Sequence, residues 1–310
     1  MLKLTTAALA FSAALLSACT TQDATPPVPS LDRERLMSAA PEPEGPGTLL
    51  GPLTDISIVS APGLPTHTLY YPVSNSADPL PVLIWGNGAC TNAGRMFEKT
   101  LKKIASHGFA VIAVGPFEPT TDKTRTTGDQ MLEAIDWLET SPVLPGSKSR
   151  TLNASKLAIM GQSCGGLMTL EIASDPRIDT IGIINSGTFP PGKQPMNMSG
   201  ANKESLKHIH TPTVYLNGGP NDIAFENSND DYSRIDGVPL FYGTMDGAGH
   251  LATHRHANGG RFAEVIVAWL EWQLKQDTAA QTWFVGAKCR LCTDPQWTIQ
   301  RKGISADALP

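Results

Sequence analysis

Short apolar runs that alternate with helical stretches constrain the fold of this 310-residue chain more than any other sequence feature. Val82–Trp85 and Ala110–Val114 lack polar alternation, which indicates strands covered on both faces of a parallel sheet. Similar runs are Lys156–Met160, Ile181–Ile184, Thr213–Leu216 and Pro239–Tyr242, and the predicted helices are Arg95–Ser106, Gly128–Glu139, Gly165–Ser174 and Gly260–Gln276. This order predicts an α/β fold, a doubly wound and mostly parallel sheet.

Two segments before these runs do alternate polar and apolar residues. Asp55–Ser60 and Thr66–Tyr71 flank a turn-forming Pro-Gly-Leu-Pro sequence, so we expect an antiparallel pair of opening strands. Only 28 residues (212 − 184) separate the runs that end at Ile184 and begin at Thr213, and they include a predicted short helix. That interval leaves no room for a lid domain.

The first residues indicate export. Lys3 precedes an apolar run too short for a membrane span, which needs roughly 20 residues. The run ends in Leu16-Ser-Ala-Cys19, which resembles the bacterial lipobox. The resemblance implies that residues 1–18 are a lipoprotein signal peptide and that Cys19 is lipidated, with the protein on the periplasmic face of the outer membrane or the cell surface. The alternative is an ordinary signal peptide cleaved a few residues later.

Composition divides the rest of the chain. Residues 19–52 are rich in proline and predict a tether, 53–276 the folded domain, and 277–310 a C-terminal extension. Twenty-four Lys and Arg residues against 29 Asp and Glu give no basic field for a polyphosphate backbone. Nucleic acid is therefore not an expected partner, whereas a membrane is, through the lipid anchor.

One predicted strand-to-helix junction carries a catalytic pattern. Lys156–Met160 runs into Gly161-Gln-Ser-Cys-Gly165 and then into a helix, the context in which G-x-S-x-G presents a nucleophile. Ser163 is the predicted nucleophile. Gly161 and Gly165 suit a sharp, strained turn, because side chains there would collide with neighbouring backbone.

A serine nucleophile needs a histidine base, and that histidine needs a carboxylate to orient it. Asp222 follows the run Thr213–Leu216, and His250 follows the run Pro239–Tyr242. The expected order of nucleophile, acid and histidine is thus Ser163, Asp222, His250. Competing acids are Asp230, Asp231 and Asp246, and competing histidines are His254 and His256.

Two backbone N–H groups are expected to form an oxyanion hole. Cys164 supplies one, because it follows the nucleophile directly. The glycine-rich loop after the strand Val82–Trp85 supplies the other, with Ala89 and Cys90 as the candidate donors.

These motifs resemble those of the α/β-hydrolase superfamily over about 55–276, and more narrowly those of its exported dienelactone-hydrolase, chlorophyllase and polyester-hydrolase (cutinase-like) branch. The resemblance rests on Trp85-Gly-Asn-Gly88, Ala105–Ile112, Met131–Leu138, Ala154–Ser163 and the pair Gly249-His250. Polyester hydrolases of this kind usually have His and Met beside the serine, where this chain has Gln162 and Cys164. A dienelactone hydrolase would use cysteine, so Ser163 favours an esterase.

The resemblance and the motifs together predict an exported serine esterase. It would hydrolyse small-molecule or polymeric carboxylic esters through an acyl-enzyme, using a Ser-Asp-His triad and neither a metal nor an organic cofactor. Two alternatives stay open: a serine peptidase or amidase on the same fold, and a non-catalytic binding lipoprotein.

The chain has five cysteines, an odd number for an exported protein. Lipidation of Cys19 leaves four. Cys289 and Cys292 are expected to form a structural disulfide, the alternatives being a redox pair or half of a zinc site. Cys90 and Cys164 lie one in each oxyanion loop, and we hypothesise a disulfide that fixes the spacing of the two donors; the alternative is two free thiols.

Overall fold

A computed structural model describes residues 49–140, 142–146, 150–195, 198, 200–251 and 256–305. The predicted signal peptide (1–18), Cys19, most of the tether (19–52) and His254 lie outside these residues. None of the helices in the described ranges is long and apolar enough to cross a membrane.

Within the described residues, nine strands form one sheet in the order β1-β2-β4-β3-β5-β6-β7-β8-β9. Six neighbouring strands are parallel to one another: β4, β3, β5, β6, β7 and β8. At one edge β1 pairs antiparallel with β2, which is antiparallel to β4, and at the other edge β9 is antiparallel to β8. Their bounds are Ile56–Ala61, Leu64–Pro72, Leu80–Gly86, Ala110–Val114, Leu152–Gln162, Thr180–Ile184, Thr213–Asn217, Leu240–Met245 and Trp297–Lys302. The predicted fold class is confirmed.

Helices cover the sheet on both sides. They are α1 (Glu98–Ser106), α2 (Gly128–Glu139), α3 (Cys164–Glu171), α4 (Phe225–Arg234), α5 (Gly260–Lys275) and α6 (Thr278–Gln281). Leu83 and Trp85 of β3 pack with α1 and α5, whereas Val82 and Ile84 pack with α2 and α3. Both faces of the strand are therefore buried, which explains its unbroken apolar run.

The described part of the chain segment between β6 and β7 contains no lid domain. In the described residues of that interval, the only regular element is a 3₁₀ turn, Ser205–His208.

The C-terminal segment is part of the sheet and the core, although the predicted domain boundary lies at residue 276. Strand β9 pairs with the whole of β8, from Leu240 opposite Lys302 to Met245 opposite Trp297. Residues of this segment that are buried in the main core include Phe284, Cys289, Leu291 and Trp297. The sequence concealed the strand because β9 is an edge strand, so its residues are mostly polar.

Helix α4 also went unrecognised in the sequence. Of its ten residues only Ser228 and Asp231 are buried, so it has no apolar periodicity to detect. Helix α2, by contrast, matches its predicted bounds, because its apolar positions recur regularly and Thr127 and Gln130 form a capping box at its start.

Phe284→Ala tests whether the C-terminal segment belongs to the core. The Phe284 ring is fully buried, with centroids 5.0 Å from Phe241 and 5.1 Å from Trp269. Its removal is expected to lower the free energy of unfolding by about 3–5 kcal/mol, measured by urea unfolding. The control Val73→Ala, at a side chain 51% exposed, is expected to cost less than about 0.5 kcal/mol. Equal losses in the two variants would show that the segment is an appendage.

Candidate active site

Ser163 stands on the predicted sharp turn between β5 and α3, with a φ of 54°. This left-handed conformation is unfavourable for a residue with a side chain. The backbone around it is too tightly packed for other side chains, since a Cβ on Gly161 would overlap the Gly165 backbone and one on Gly165 would overlap the Gly86 carbonyl. The glycines therefore allow β5, α3 and the end of β3 to meet at the serine.

Hydrogen bonds link Ser163 to the predicted histidine and acid. The Ser163 Oγ atom lies 2.9 Å from His250 Nε2, and His250 Nδ1 lies 2.6 Å from Asp222 Oδ1. Asp222 follows a 3₁₀ turn after β7, and His250 lies in the loop after β8. Both side chains are buried, whereas Ser163 is partly exposed. The arrangement can transfer the serine proton to the imidazole.

Asp222 is held as a carboxylate by several donors. Its Oδ1 accepts a second hydrogen bond from the Ala224 N–H at 2.9 Å, and its Oδ2 accepts from the Gly218 N–H at 3.1 Å. Burial raises the pKa of the Asp222 carboxyl, but hydrogen bonding and charge from His250, together with Ala224 and Asn185, outweigh it and hold the pKa below its usual value. A charged acid is what an imidazolium partner requires.

The competing acids occupy other environments. Asp230 pairs with Lys203 and Arg234 near the surface. Asp231 is buried, where it accepts hydrogen bonds from Lys203 Nζ at 2.7 Å and from the Thr188 N–H at 2.8 Å. Asp246 follows β8 and lies against Gly219, which belongs to the loop after β7 that carries Asp222. In the described residues, the carboxylate hydrogen-bonded to His250 is that of Asp222.

A disulfide joins the two predicted oxyanion loops. Cys90 ends a 3₁₀ turn that follows β3, and it is bonded to Cys164, the first residue of α3. Ala89 is exposed, with a φ of 53°, and Cys90 has a φ of 50°. The disulfide therefore holds close together the two loops that carry the three candidate donors. The second expected disulfide, between Cys289 and Cys292, is also present.

The part of the chain that the structure describes contains no set of side chains suited to bind a metal ion. No group of three His, Cys, Asp or Glu residues there is arranged to hold a metal ion. His256, a competitor for the base, packs against Gly260 at the start of α5.

Sequence reasoning missed three polar residues that contact the predicted site. Asn185 donates to Asp222 Oδ2 at 2.7 Å, the Ser186 hydroxyl donates to the Ser163 carbonyl at 2.6 Å, and Gln162 Nε2 donates to the His250 carbonyl at 2.9 Å. Asn185 and Ser186 follow the buried run of β6 directly. A signal was available, because the carboxyl ends of neighbouring parallel strands meet at one edge of the sheet.

The sheet topology and the serine, acid and histidine placed after β5, β7 and β8 define an α/β-hydrolase. A family model described as PET hydrolase-like matches residues 47–299, so the chain belongs to that family. The sequence resemblance to the polyester-hydrolase branch is thereby confirmed.

Similar proteins are named as cutinases and as a bis(hydroxyethyl) terephthalate hydrolase. Cutinase est2 of Thermobifida alba is 30% identical over 222 residues, covering 70% of this chain and 67% of that protein. Cutinase est1 of the same organism is 29% identical, with 72% and 69% covered. A bis(hydroxyethyl) terephthalate hydrolase of Streptomyces coelicolor is 24% identical, with 73% and 67% covered. The chain is a carboxylic ester hydrolase of the serine hydrolase type, which confirms the expectation of an enzyme over that of a binding lipoprotein.

Proposed function

We propose that this protein is an exported serine esterase that acts through an acyl-enzyme, with Ser163 as nucleophile, His250 as base and acid, and Asp222 as the orienting carboxylate. The unbroken hydrogen-bond chain from Asp222 through His250 to Ser163, at 2.6 and 2.9 Å, carries this proposal. Serine hydrolases need this order of contacts to make a hydroxyl nucleophilic at neutral pH.

The reaction proceeds in two halves. His250 Nε2 takes the proton from Ser163 Oγ as the oxygen attacks the ester carbonyl, and Asp222 stabilises the imidazolium. The tetrahedral intermediate collapses, and His250 protonates the departing alcohol. Water then enters, gives a proton to His250 and attacks the acyl-enzyme. The second collapse returns the proton to Ser163 and releases the acid.

The oxyanion hole is proposed to use the Cys164 N–H and an N–H of Ala89 or Cys90. Among the described residues, six other than glycine have a positive φ, and three of them are Ala89, Cys90 and Ser163. Such conformations persist only when the surroundings hold them. The Cys90–Cys164 disulfide provides this restraint, and it fixes the spacing between the two loops.

The proposed substrates are small-molecule or polymeric carboxylic esters. Two observations support this class. The relatives are named as cutinases and as a bis(hydroxyethyl) terephthalate hydrolase, and Ser163 is partly exposed while a 3₁₀ turn is the only regular element in the described residues between β6 and β7. An open site suits an ester group that is part of a larger molecule.

Export and anchoring are proposed from the N-terminal sequence. Residues 1–18 would be removed, lipidated Cys19 would hold the protein on the periplasmic face of the outer membrane or the cell surface, and residues 19–52 would connect it to the domain. A tether of this kind would let the enzyme reach esters outside the membrane.

Ser163→Ala tests the nucleophile. We expect kcat/KM for a short p-nitrophenyl ester to fall by about 10⁴-fold or more, with loss of fluorophosphonate labelling and an unchanged unfolding midpoint. Ser155→Ala, on the exposed part of the same strand, is the matched control and should keep both activity and labelling. Substantial hydrolysis by Ser163→Ala would overturn the assignment.

The Cys90→Ser/Cys164→Ser double variant tests the proposed restraint on the oxyanion hole. Release of the two loops should lower kcat by up to about 100-fold while KM changes little, because misplaced donors weaken the transition state more than substrate binding. Cys289→Ser/Cys292→Ser is the control, measured at a temperature where both variants are folded. Equal kcat values in the two double variants would refute the restraint.

Cys19→Ala tests the lipid anchor. In a bacterial host the wild-type protein should incorporate labelled palmitate, sediment with membranes and begin at a modified Cys19 in intact-mass analysis. The variant should lose the label and leave the membrane fraction. A wild-type protein cleaved at another residue and free of lipid would show that the segment is an ordinary signal peptide.

A further inference from the structure

Asn185 contacts the proposed active site although it takes no part in the proton transfers. It is the first residue after β6, which lies between β5 and β7 in the sheet. Its side chain is fully buried, its φ is 46°, and its N–H donates to the Leu216 carbonyl at 2.7 Å. The backbone at this residue is thus fixed to the neighbouring strand before the side chain makes any contact.

The Asn185 amide joins two loops of the site. One is the loop after β7 that carries Asp222 (the acid loop), and the other is the loop after β8 that carries His250 (the histidine loop). Its Nδ2 atom lies 2.7 Å from Asp222 Oδ2 and 3.3 Å from the Gly249 carbonyl oxygen. Gly249 immediately precedes His250. One buried side chain therefore contacts both the acid and the backbone that presents the base.

The contacts of Asp222 are divided evenly between its two oxygens. Oδ1 accepts from His250 Nδ1 and the Ala224 N–H, and Oδ2 accepts from Asn185 Nδ2 and the Gly218 N–H. Loss of the Asn185 amide would leave Oδ2 with one of these two donors. The carboxylate could then rotate and carry Oδ1 away from the line to His250.

We propose that Asn185 is a positioning residue, whose amide fixes the rotation of the Asp222 carboxylate and ties it to the loop that carries His250. This inference rests on the proposed function, because it takes Asp222, His250 and Ser163 as the reacting chain. An amide suits the role since it donates a hydrogen bond to a carboxylate but cannot itself take up or release the proton.

Rotation of the carboxylate would also change the pH dependence of the reaction. Asp222 stabilises the imidazolium best while its Oδ1 atom faces His250 Nδ1. A rotated carboxylate stabilises it less, so the acid limb of the kcat/KM profile should move to lower pH. Other ionisable groups nearby are Tyr242 on β8, whose pKa is raised by burial and partly by the Asp222 charge, and Asp246 at the acid loop. Both are unchanged in the variants below.

Two substitutions separate this role from a structural one. Asn185→Gly removes the amide but tolerates the left-handed backbone. We expect kcat to fall about 10- to 100-fold with little change in KM, and the acid limb of the kcat/KM profile to move down by about one pH unit. Asn185→Asp keeps the shape and places a second carboxyl beside Asp222 Oδ2. Two buried carboxyl groups this close share one proton, so this variant should keep a hydrogen bond to Oδ2 at low pH and lose kcat as the pH rises and that proton leaves.

Asn87→Gly is the matched control. Asn87 directly follows β3 and is also fully buried, and its Nδ2 lies 2.6 Å from the carbonyl oxygen of Val114 in β4. Among the described hydrogen bonds it makes none to Asp222 or His250. Its loss should leave the acid limb where it is in the wild type. Each variant is first checked for a cooperative urea transition, and Asn185→Asp serves as the test if Asn185→Gly does not fold.

The outcomes are distinct. Unchanged kcat and an unmoved acid limb in both Asn185 variants would overturn the inference, and so would an equal shift in Asn87→Gly. A wild-type protein that neither hydrolyses p-nitrophenyl esters nor labels with fluorophosphonate at Ser163 would overturn the proposed function, and this inference with it. The inference is supported by wild-type activity together with a lowered kcat and a lowered acid limb in Asn185→Gly, an alkaline loss of kcat in Asn185→Asp, and neither pH effect in Asn87→Gly.

Discussion

The close contact of three glycines at the ends of β3 and β5 is the constraint on which the rest of the site depends. Gly161 and Gly165 flank Ser163, and a Cβ on Gly165 would overlap the Gly86 carbonyl at the end of β3. This contact brings the loop after β3 within reach of the nucleophile turn. Only because the backbones touch can Cys90 and Cys164 bond, with Cα atoms 5.1 Å apart.

A second contact of the same kind sets the acid against the histidine. A Cβ on Gly218, after β7, would overlap the backbone of Gly249 in the loop after β8. Asn185 fills the space beside this contact and hydrogen-bonds across it. Two places without side chains and one buried amide thus hold the loops of five strands, and the parallel sheet supplies the convergence because the carboxyl ends of its strands lie along one edge.

Much of this arrangement can be predicted from the sequence, and the remainder has physical reasons to be hidden. The buried parallel strands are visible as apolar runs. Ser163, Asp222 and His250 each follow one of these runs, and hydrogen bonds join the three side chains in the structure. Polar α4 and the edge strand β9 bury too few apolar side chains to leave a periodic pattern. The place of Asn185 after an apolar run puts it at the edge of the sheet, but its partners lie 37 and 64 residues away, so the sequence does not indicate which groups it contacts.

Strand β9 protects one edge of the sheet. Strand β8 is buried along its whole length, and among the described residues its outer edge is paired by Trp297–Lys302 of β9. Without those residues, the apolar strand β8 presents open hydrogen-bonding groups to any other extended chain. A domain without residues 297–302 would therefore expose the edge of a buried apolar strand and should associate more readily than the domain that has them.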